Sequence, residues 1–120
     1  PAGARIPAAP VAPHGRGHSV AGTALEWTTL RGIMYGGVGV ERDEAGLTRA
    51  LERLHVLAEG SRSEDVRDAA TVGSLVARAA LRRRESRGSH ARSDYPTALA
   101  TERHRSFSTL AELPQSAQTA

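Results

Sequence analysis

Apolar side chains recur every three or four residues along the middle of this 120-residue chain, and this spacing limits its fold most strongly. The clearest run starts at Leu47 and ends at Ala58, with charged residues on the opposite side of a helix. The residues on its apolar side are Leu47, Ala50, Leu51, Leu54, Leu57 and Ala58. Asp43 precedes the run and Gly60 follows it, and these residue types begin and end helices. The run therefore predicts a helix between them.

Another helix is predicted before this one. Thr23 and Glu26 have the Thr-x-x-Glu spacing of a capping box, in which each side chain accepts a hydrogen bond from the other residue's backbone. The pair Gly36 and Gly37 would end this helix, because glycine readily adopts the left-handed conformation of a C-cap. A short extended link, residues 38–42, would lead to the next helix.

The third predicted helix begins at Ser61 or Ser63. We expect it to run from Glu64 to Arg87 and to stop at Gly88. The links between the three helices are short and no strand pattern occurs. We therefore predict an all-α fold, a small antiparallel three-helix bundle formed by residues 23–97.

The two ends of the chain lack helical periodicity. Residues 1–22 consist largely of Pro, Ala and Gly with scattered Arg and His, and we predict a disordered linker. Residues 98–120 are polar and weakly patterned, so we predict an irregular tail in which Phe107, Leu110 and Leu113 could dock a short turn on the helices. Because the first residue is proline rather than methionine, we expect the chain to be part of a longer protein.

Composition argues against several kinds of chemistry. Cysteine is absent, so no disulfide framework or thiol catalysis is available. His14 and His18 are four residues apart, but the glycines between them disfavour a helix, and no metal site is predicted.

No apolar run approaches the roughly 20 residues that span a bilayer, and no signal peptide is evident. We predict a cytoplasmic location and no membrane partner.

Arginine supplies all sixteen basic residues. With abundant Ala and Gly, this bias indicates a GC-rich genome. Arg82, Arg83 and Arg84 could contact phosphates, so a free-standing Arg-rich helical module that binds nucleic acid or a partner protein is the alternative function. No aromatic platform or recognition motif accompanies the run, and cations are also favoured at a helix C-terminus without any ligand. We do not expect nucleic acid to be the partner.

The densest polar cluster lies between residues 84 and 96. Ser86, Ser89, His90 and Asp94 are the residue types of a hydrolytic triad, but they lie too close together in sequence, since triad members usually come from separate elements. The arginines and carboxylates of this segment instead indicate a loop fixed by charge-assisted hydrogen bonds, either to itself or to a neighbouring domain, because a guanidinium can donate two parallel hydrogen bonds to one carboxylate. The candidate residues of this loop lock or domain interface are Glu85, Arg87, His90, Arg92, Asp94 and Tyr95.

Residues 84–96 read RESRGSHARSDYP, and this segment resembles the signature near the C-terminus of the succinate dehydrogenase, fumarate reductase and L-aspartate oxidase flavoproteins. Residues 30–34 and 39–47, which contain LRGIM and GVERD, are similar to the opening of that family's C-terminal helical domain. Both matches occur in the family's order and at about its spacing. The L-aspartate oxidase branch is the nearer match. Ala91 departs from that branch, which often has an aromatic residue there, and Tyr35 begins a turn that usually contains tryptophan.

The resemblance implies a C-terminal helical domain from an FAD-dependent enzyme that oxidises L-aspartate to iminoaspartate in NAD biosynthesis. In that family the flavin-contacting and substrate-binding residues lie upstream, so no catalytic, cofactor-binding or metal-binding position is carried over. The resemblance also implies that FAD belongs to the parent enzyme and that this chain alone binds no cofactor. The implied partner is the flavin-binding domain of the same parent, and the isolated domain is expected to be inactive.

Overall fold

Three helices form most of the computed structural model, which describes residues 20–113. They are α1 (Ala24–Gly37), α2 (Glu44–Gly60) and α3 (Glu64–Arg82). The predicted all-α class and the number of helices are confirmed. Most of the predicted linker, including His14 and His18, lies outside the described residues, as do residues 114–120 of the predicted tail.

Side-chain caps start all three helices. Thr23 Oγ1 accepts a hydrogen bond from the Glu26 amide at 3.1 Å, and the Glu26 carboxylate accepts one from the Thr23 amide at 3.0 Å, so the predicted capping box is confirmed. Asp43 and Ser63 cap α2 and α3 by accepting from the amide three residues later. Each cap satisfies an amide that has no partner within its helix.

The end of α3 differs from the prediction. The helix stops at Arg82 rather than at Arg87. Its last carbonyls, those of Ala80 and Leu81, each accept a hydrogen bond at 2.9 Å from the Arg92 guanidinium, which arrives from the following loop. A side chain ten or more residues downstream thus caps the helix, which ends at the first residue of the arginine run and six residues before Gly88.

Two very short strands also correct the prediction, which included none. Strands β1 (Glu41–Arg42) and β2 (Ala91–Arg92) pair in parallel. They join the link before α2 to the loop after α3. Gly88, predicted as a helix stop, instead lies in a tight turn in which Arg87 and His90 exchange backbone hydrogen bonds. Its φ of +58° is in the left-handed region that favours glycine.

The core lies where the three helices meet, and the contact between α2 and α3 is the most extensive. Its buried members are Leu30, Ile33, Val38, Leu47, Ala50, Leu54, Ala70, Ala77 and Ala80. The many small residues allow the helices to approach closely. In the C-terminal segment, Leu113 is buried whereas Phe107 and Leu110 are exposed. Within the described part of the chain, no helix has both the length and the apolar character needed to cross a membrane.

Gly37 is required where α1 crosses α2. A Cβ at this position would lie 2.8 Å from the Ala50 Cβ and 2.9 Å from the Gly46 carbonyl oxygen. We therefore expect Gly37→Ala to lower the free energy of unfolding by about 2 kcal/mol, the usual cost of overpacking. Gly36→Ala is the matched control, because nothing lies within 4 Å of a Cβ there. Urea denaturation of both variants tests this, and equal stabilities would contradict the packing argument.

Candidate functional site

Glu85 lies at the centre of the polar loop, which we define as residues 83–99. Its side chain is fully buried (0% exposed). Oε1 accepts hydrogen bonds from Arg83 Nε at 2.9 Å and Arg87 Nε at 3.0 Å. Oε2 accepts from Arg87 Nη2 at 3.2 Å and from the Leu99 amide at 2.8 Å. These donors compensate the removal of the carboxylate from water.

The same donors keep Glu85 charged. The hydrogen bonds from Arg87, with smaller contributions from the Leu99 amide and Arg83, lower the pKa of Glu85 from 4.5 to about 2. Burial acts in the opposite direction but is outweighed. The carboxylate in turn raises the pKa of Arg87. Glu85 is therefore accommodated in this loop as a charged carboxylate, paired with Arg83, Arg87 and the Leu99 amide.

The two arginines that bind Glu85 also hold the segment that follows the loop. Arg83 donates to the backbone carbonyls of Glu102 and His104, and Arg87 Nη2 donates to the Leu99 carbonyl at 2.8 Å. Guanidinium groups can make several such bonds at once because they present five donors in a fixed plane. Glu85 thus fixes the chain on both sides of the loop through its arginine partners.

Arg82, the last residue of α3, contacts the C-terminal end of the described chain. Its Nη2 lies 2.9 Å from the Glu112 carboxylate and 2.9 Å from Ser108 Oγ. Both groups on the Arg82–Glu112 pair are part-exposed, so the pair contributes little stability. Arg84, the third residue of the arginine run, is exposed.

Arg92 and Asp94 form a second charge pair that joins two helix ends. Arg92, 1% exposed, donates from Nε and Nη2 to the two Asp94 carboxylate oxygens at 2.8 and 2.7 Å. Its Nη1 donates to the carbonyls of Ala80 and Leu81 at the C-terminus of α3. Asp94 Oδ2 accepts from the Glu44 amide at 3.0 Å, in the first turn of α2. The cation therefore faces a negative helix end and the anion a positive one.

This arrangement stabilises both charges. Hydrogen bonds from Arg92, assisted by the Glu44 amide, lower the pKa of Asp94 from 3.8 to about 2. The reciprocal hydrogen bonds raise the pKa of Arg92 despite its burial. The Arg92 guanidinium carbon also lies 5.0 Å from the centroid of the Tyr95 ring, within the range of a cation–π contact. Tyr95 thus covers the pair on one side.

His90 connects the loop to β1. Its Nδ1 lies 2.8 Å from Arg42 Nη1, and its Nε2 lies 3.0 Å from the Arg83 carbonyl oxygen. Because a guanidinium only donates, Nδ1 must accept and Nε2 must carry the hydrogen. Arg42 also donates from Nε to the Gly39 carbonyl at 2.9 Å, and partial burial lowers its pKa. The ring is consequently held between the Arg42 guanidinium and the Arg83 carbonyl.

Three further residues belong to this network but were not among the predicted site residues. Ser86 Oγ accepts from the Arg92 amide at 2.8 Å and lies 2.9 Å from the Tyr95 carbonyl, to which it donates. Arg42 and Arg83 are the other two. The two-residue spacing between Arg83 and Glu85 was a usable sequence signal, whereas Arg42 is 48 residues from its partner His90 and had none.

The residues of the candidate hydrolytic triad are not assembled. Among residues 20–113, no hydrogen bond joins Ser86 or Ser89 to His90, or His90 to Asp94. Nor does this described range contain a group of three or more His, Asp or Glu side chains placed to hold a metal ion. The six predicted residues meet in one loop, where their polar groups bind one another and the backbone.

Acidification is expected to destabilise the fold in a defined window. Folding lowers the pKa of Glu85 from 4.5, and that of Asp94 from 3.8, to about 2 each. Since the folded-state values are the lower ones, this stabilisation is complete above pH 4.5 and is lost as the pH falls towards about 2. Thermal unfolding followed by circular dichroism across this range measures the effect. A constant melting temperature between these limits would contradict it.

Comparison with known proteins shows which protein family the chain resembles. Residues 61–118 match the family described as fumarate reductase flavoprotein C-term, so this part of the chain is similar to flavoprotein C-terminal domains. The chain is also similar to L-aspartate oxidases. It is 46% identical over 78 residues to the L-aspartate oxidase of Rhodospirillum rubrum, covering 65% of this chain and 28% of that protein. The resemblance predicted from residues 84–96 is thereby confirmed.

Other relatives carry the same name. The chain is 37% identical over 87 residues to the L-aspartate oxidase of Pseudomonas aeruginosa, covering 63% of this chain and 16% of that protein. It is 42% identical over 69 residues to that of Xylella fastidiosa, covering 58% and 13%. The chain thus spans between 13% and 28% of the length of these three relatives. No solved structure matches it.

Proposed function

We propose that this chain is the C-terminal helical domain of an FAD-dependent enzyme that oxidises L-aspartate to iminoaspartate, and that it packs on the flavin-binding domain of the same polypeptide. The observation that carries the proposal is the match of residues 61–118 to the flavoprotein C-terminal family, together with relatives named L-aspartate oxidase. Those relatives are several times longer than the matched region. The remaining length is available for the flavin and substrate sites.

FAD itself does not fit the described residues. Gly36 and Gly37 are the last residues of α1 and Gly39 follows it, whereas a dinucleotide fingerprint follows a strand and opens a helix. Three of the four arginines of the polar loop, Arg83, Arg87 and Arg92, are already paired with Glu85 or Asp94, and a single remaining arginine, Arg84, does not form a pyrophosphate site. We therefore assign FAD to the parent enzyme and no flavin chemistry to this chain.

For the polar loop, we propose the role of a structural lock. Glu85, Arg87, His90, Arg92 and Asp94 make their hydrogen bonds within the chain, and Tyr95 covers Arg92. This supports a loop that fixes the ends of α2 and α3 rather than one that contacts substrate. A cytoplasmic location and the absence of a nucleic-acid partner stay predictions from the sequence.

The test is to produce the full-length gene product that contains this segment. We expect it to copurify with FAD, identified from the cofactor released on denaturation, and to consume L-aspartate with oxygen or fumarate as electron acceptor. The 120-residue chain alone is the control and should do neither. A full-length protein that contains no flavin, or that is flavin-loaded but leaves L-aspartate unchanged, would overturn the proposal.

A further inference from the structure

One face of α1 has no packing partner in the part of the chain that the structure describes. We call it the outer face of α1, and its members are Leu25, Thr28, Gly32, Tyr35 and Gly36. All five are exposed, and Gly32 and Gly36 lie at the edge of this face, next to the buried Ile33. Tyr35 is 89% exposed and Leu25 is 75% exposed. Leu25 and Tyr35 lie ten residues apart on this open face, so contact with another surface would bury two separate apolar side chains.

The glycines of this face have no packing role among residues 20–113. A Cβ at Gly32 or Gly36 would meet nothing within 4 Å, whereas one at Gly37 would meet the Ala50 Cβ at 2.8 Å. Glycine inside a helix is less stabilising than alanine. These two positions therefore weaken α1 without relieving any contact in the described chain. The bare backbone that they leave suits the close approach of another surface.

Two arginines border the same region. Arg49 and Arg53, four residues apart on α2, line a groove of about 150 Å³ together with Gly32 and Gly36 of α1. Both arginines are exposed, and neither is paired in the described range with a carboxylate or another hydrogen-bonding group. A surface that brings carboxylates to this groove would complement its charge.

We infer that the outer face of α1, together with Arg49 and Arg53, is the surface on which the rest of the parent polypeptide docks, and that the docking surface presents carboxylates to the two arginines. The inference rests on the proposed function, because it requires a flavin-binding domain in the same polypeptide. Two observations favour the rest of the polypeptide as the partner of this surface. The chain spans at most 28% of the length of the three relatives compared above, so much of such a protein lies outside it. The positive charges of Arg49 and Arg53 are unpaired within the described residues. In the polar loop, by contrast, Arg83, Arg87 and Arg92 are paired internally with Glu85 or Asp94.

The test compares two substitutions in the flavin-loaded full-length protein. Gly32→Leu places a good helix former on the outer face, where its Cβ would meet nothing within 4 Å in the described chain. Asp68→Leu, at an exposed position of α3, is the matched control. We expect Gly32→Leu to lower the melting temperature and to speed proteolytic separation of the helical domain by about tenfold, because cleavage follows the population of the undocked state. Asp68→Leu should change neither.

A second pair of variants addresses charge without altering the helix interior. Arg49→Glu combined with Arg53→Glu should speed cleavage as well, and more strongly at low salt, where charge repulsion is least screened. Arg84→Glu combined with Arg105→Glu is the matched pair at exposed positions away from the groove. If both pairs behave like the unsubstituted protein, the arginines do not face carboxylates and the inference fails.

Other outcomes separate this inference from the proposed function. Equal effects of Gly32→Leu and Asp68→Leu would overturn it, and an effect of Asp68→Leu alone would put the docking surface on α3. A dimer of the 120-residue chain in analytical ultracentrifugation that Gly32→Leu dissolves would assign the face to a second copy and also overturn it. In each of these cases the unsubstituted full-length protein would still bind FAD and oxidise L-aspartate if the proposed function holds.

Discussion

Arg92→Met is expected to lower the free energy of unfolding by about 2–3 kcal/mol, because it removes charge-assisted hydrogen bonds made by a buried guanidinium while the Asp94 carboxylate that it leaves behind is part-exposed. The substitution leaves the Asp94 carboxylate without its bidentate partner and the carbonyls of Ala80 and Leu81 without a donor. Because this guanidinium joins the end of α3 to the loop that caps α2, its loss affects both helices. Urea denaturation of the 120-residue chain measures the change.

Two companion variants make this result specific. Arg92→Lys keeps the charge but cannot form the two parallel bonds to Asp94, so its stability should fall between those of the parent chain and Arg92→Met. Arg49→Met removes an exposed arginine and should change the free energy by no more than about 0.5 kcal/mol. If Arg92→Met were as stable as Arg49→Met, the charge pair would not hold the helix ends together.

Glu85→Gln should have the second large effect. The amide keeps the shape of the side chain but removes the charge that Arg83 and Arg87 bind, and its NH2 group has no acceptor in this cluster of donors. We expect the melting temperature to fall by about 10 °C, since a few kcal/mol corresponds to such a shift in a domain of this size. Differential scanning calorimetry measures it.

Glu52→Gln, at an exposed position of α2, is the control for Glu85→Gln and should leave the melting temperature within about 2 °C of the parent chain. The Glu85→Gln variant should also lose part of the acid sensitivity described above, because one of the two depressed carboxylates is gone. An acid profile identical to that of the parent chain would show that Glu85 does not contribute to it.

The helices were predictable because their signals are local. The capping box of Thr23 and Glu26, the Asp43 cap and the apolar spacing of α2 lie within a few residues of the structure they specify. The end of α3 was not predictable in the same way. It depends on Arg92, which lies in a loop ten residues further along the chain and donates hydrogen bonds to the carbonyls of Ala80 and Leu81 in α3. The spacing of apolar residues in the sequence carries no information about such a contact.

In the polar loop, too, the contacts between neighbouring residues were predictable and those with distant residues were not. The residue types between Glu85 and Tyr95 indicated a loop fixed by charge-assisted hydrogen bonds, and their short spacing in the sequence favoured contacts among them. The contacts with Arg42 and with the first turn of α2 span about fifty residues and depend on the packing of all three helices. The β1–β2 pair is likewise too short for an alternating pattern to appear in the sequence.

L-aspartate turnover per bound flavin in the full-length protein carrying Arg87→Ala tests most directly whether the polar loop is a lock rather than a catalytic element. Arg87 binds Glu85 and the Leu99 carbonyl but is part-exposed, so the variant should fold and load flavin at a lower melting temperature. Arg84→Ala, at the exposed neighbouring arginine, is the control. We expect turnover per flavin within about twofold of that of the unsubstituted full-length protein. A loss of about tenfold or more in folded, flavin-loaded protein would contradict it.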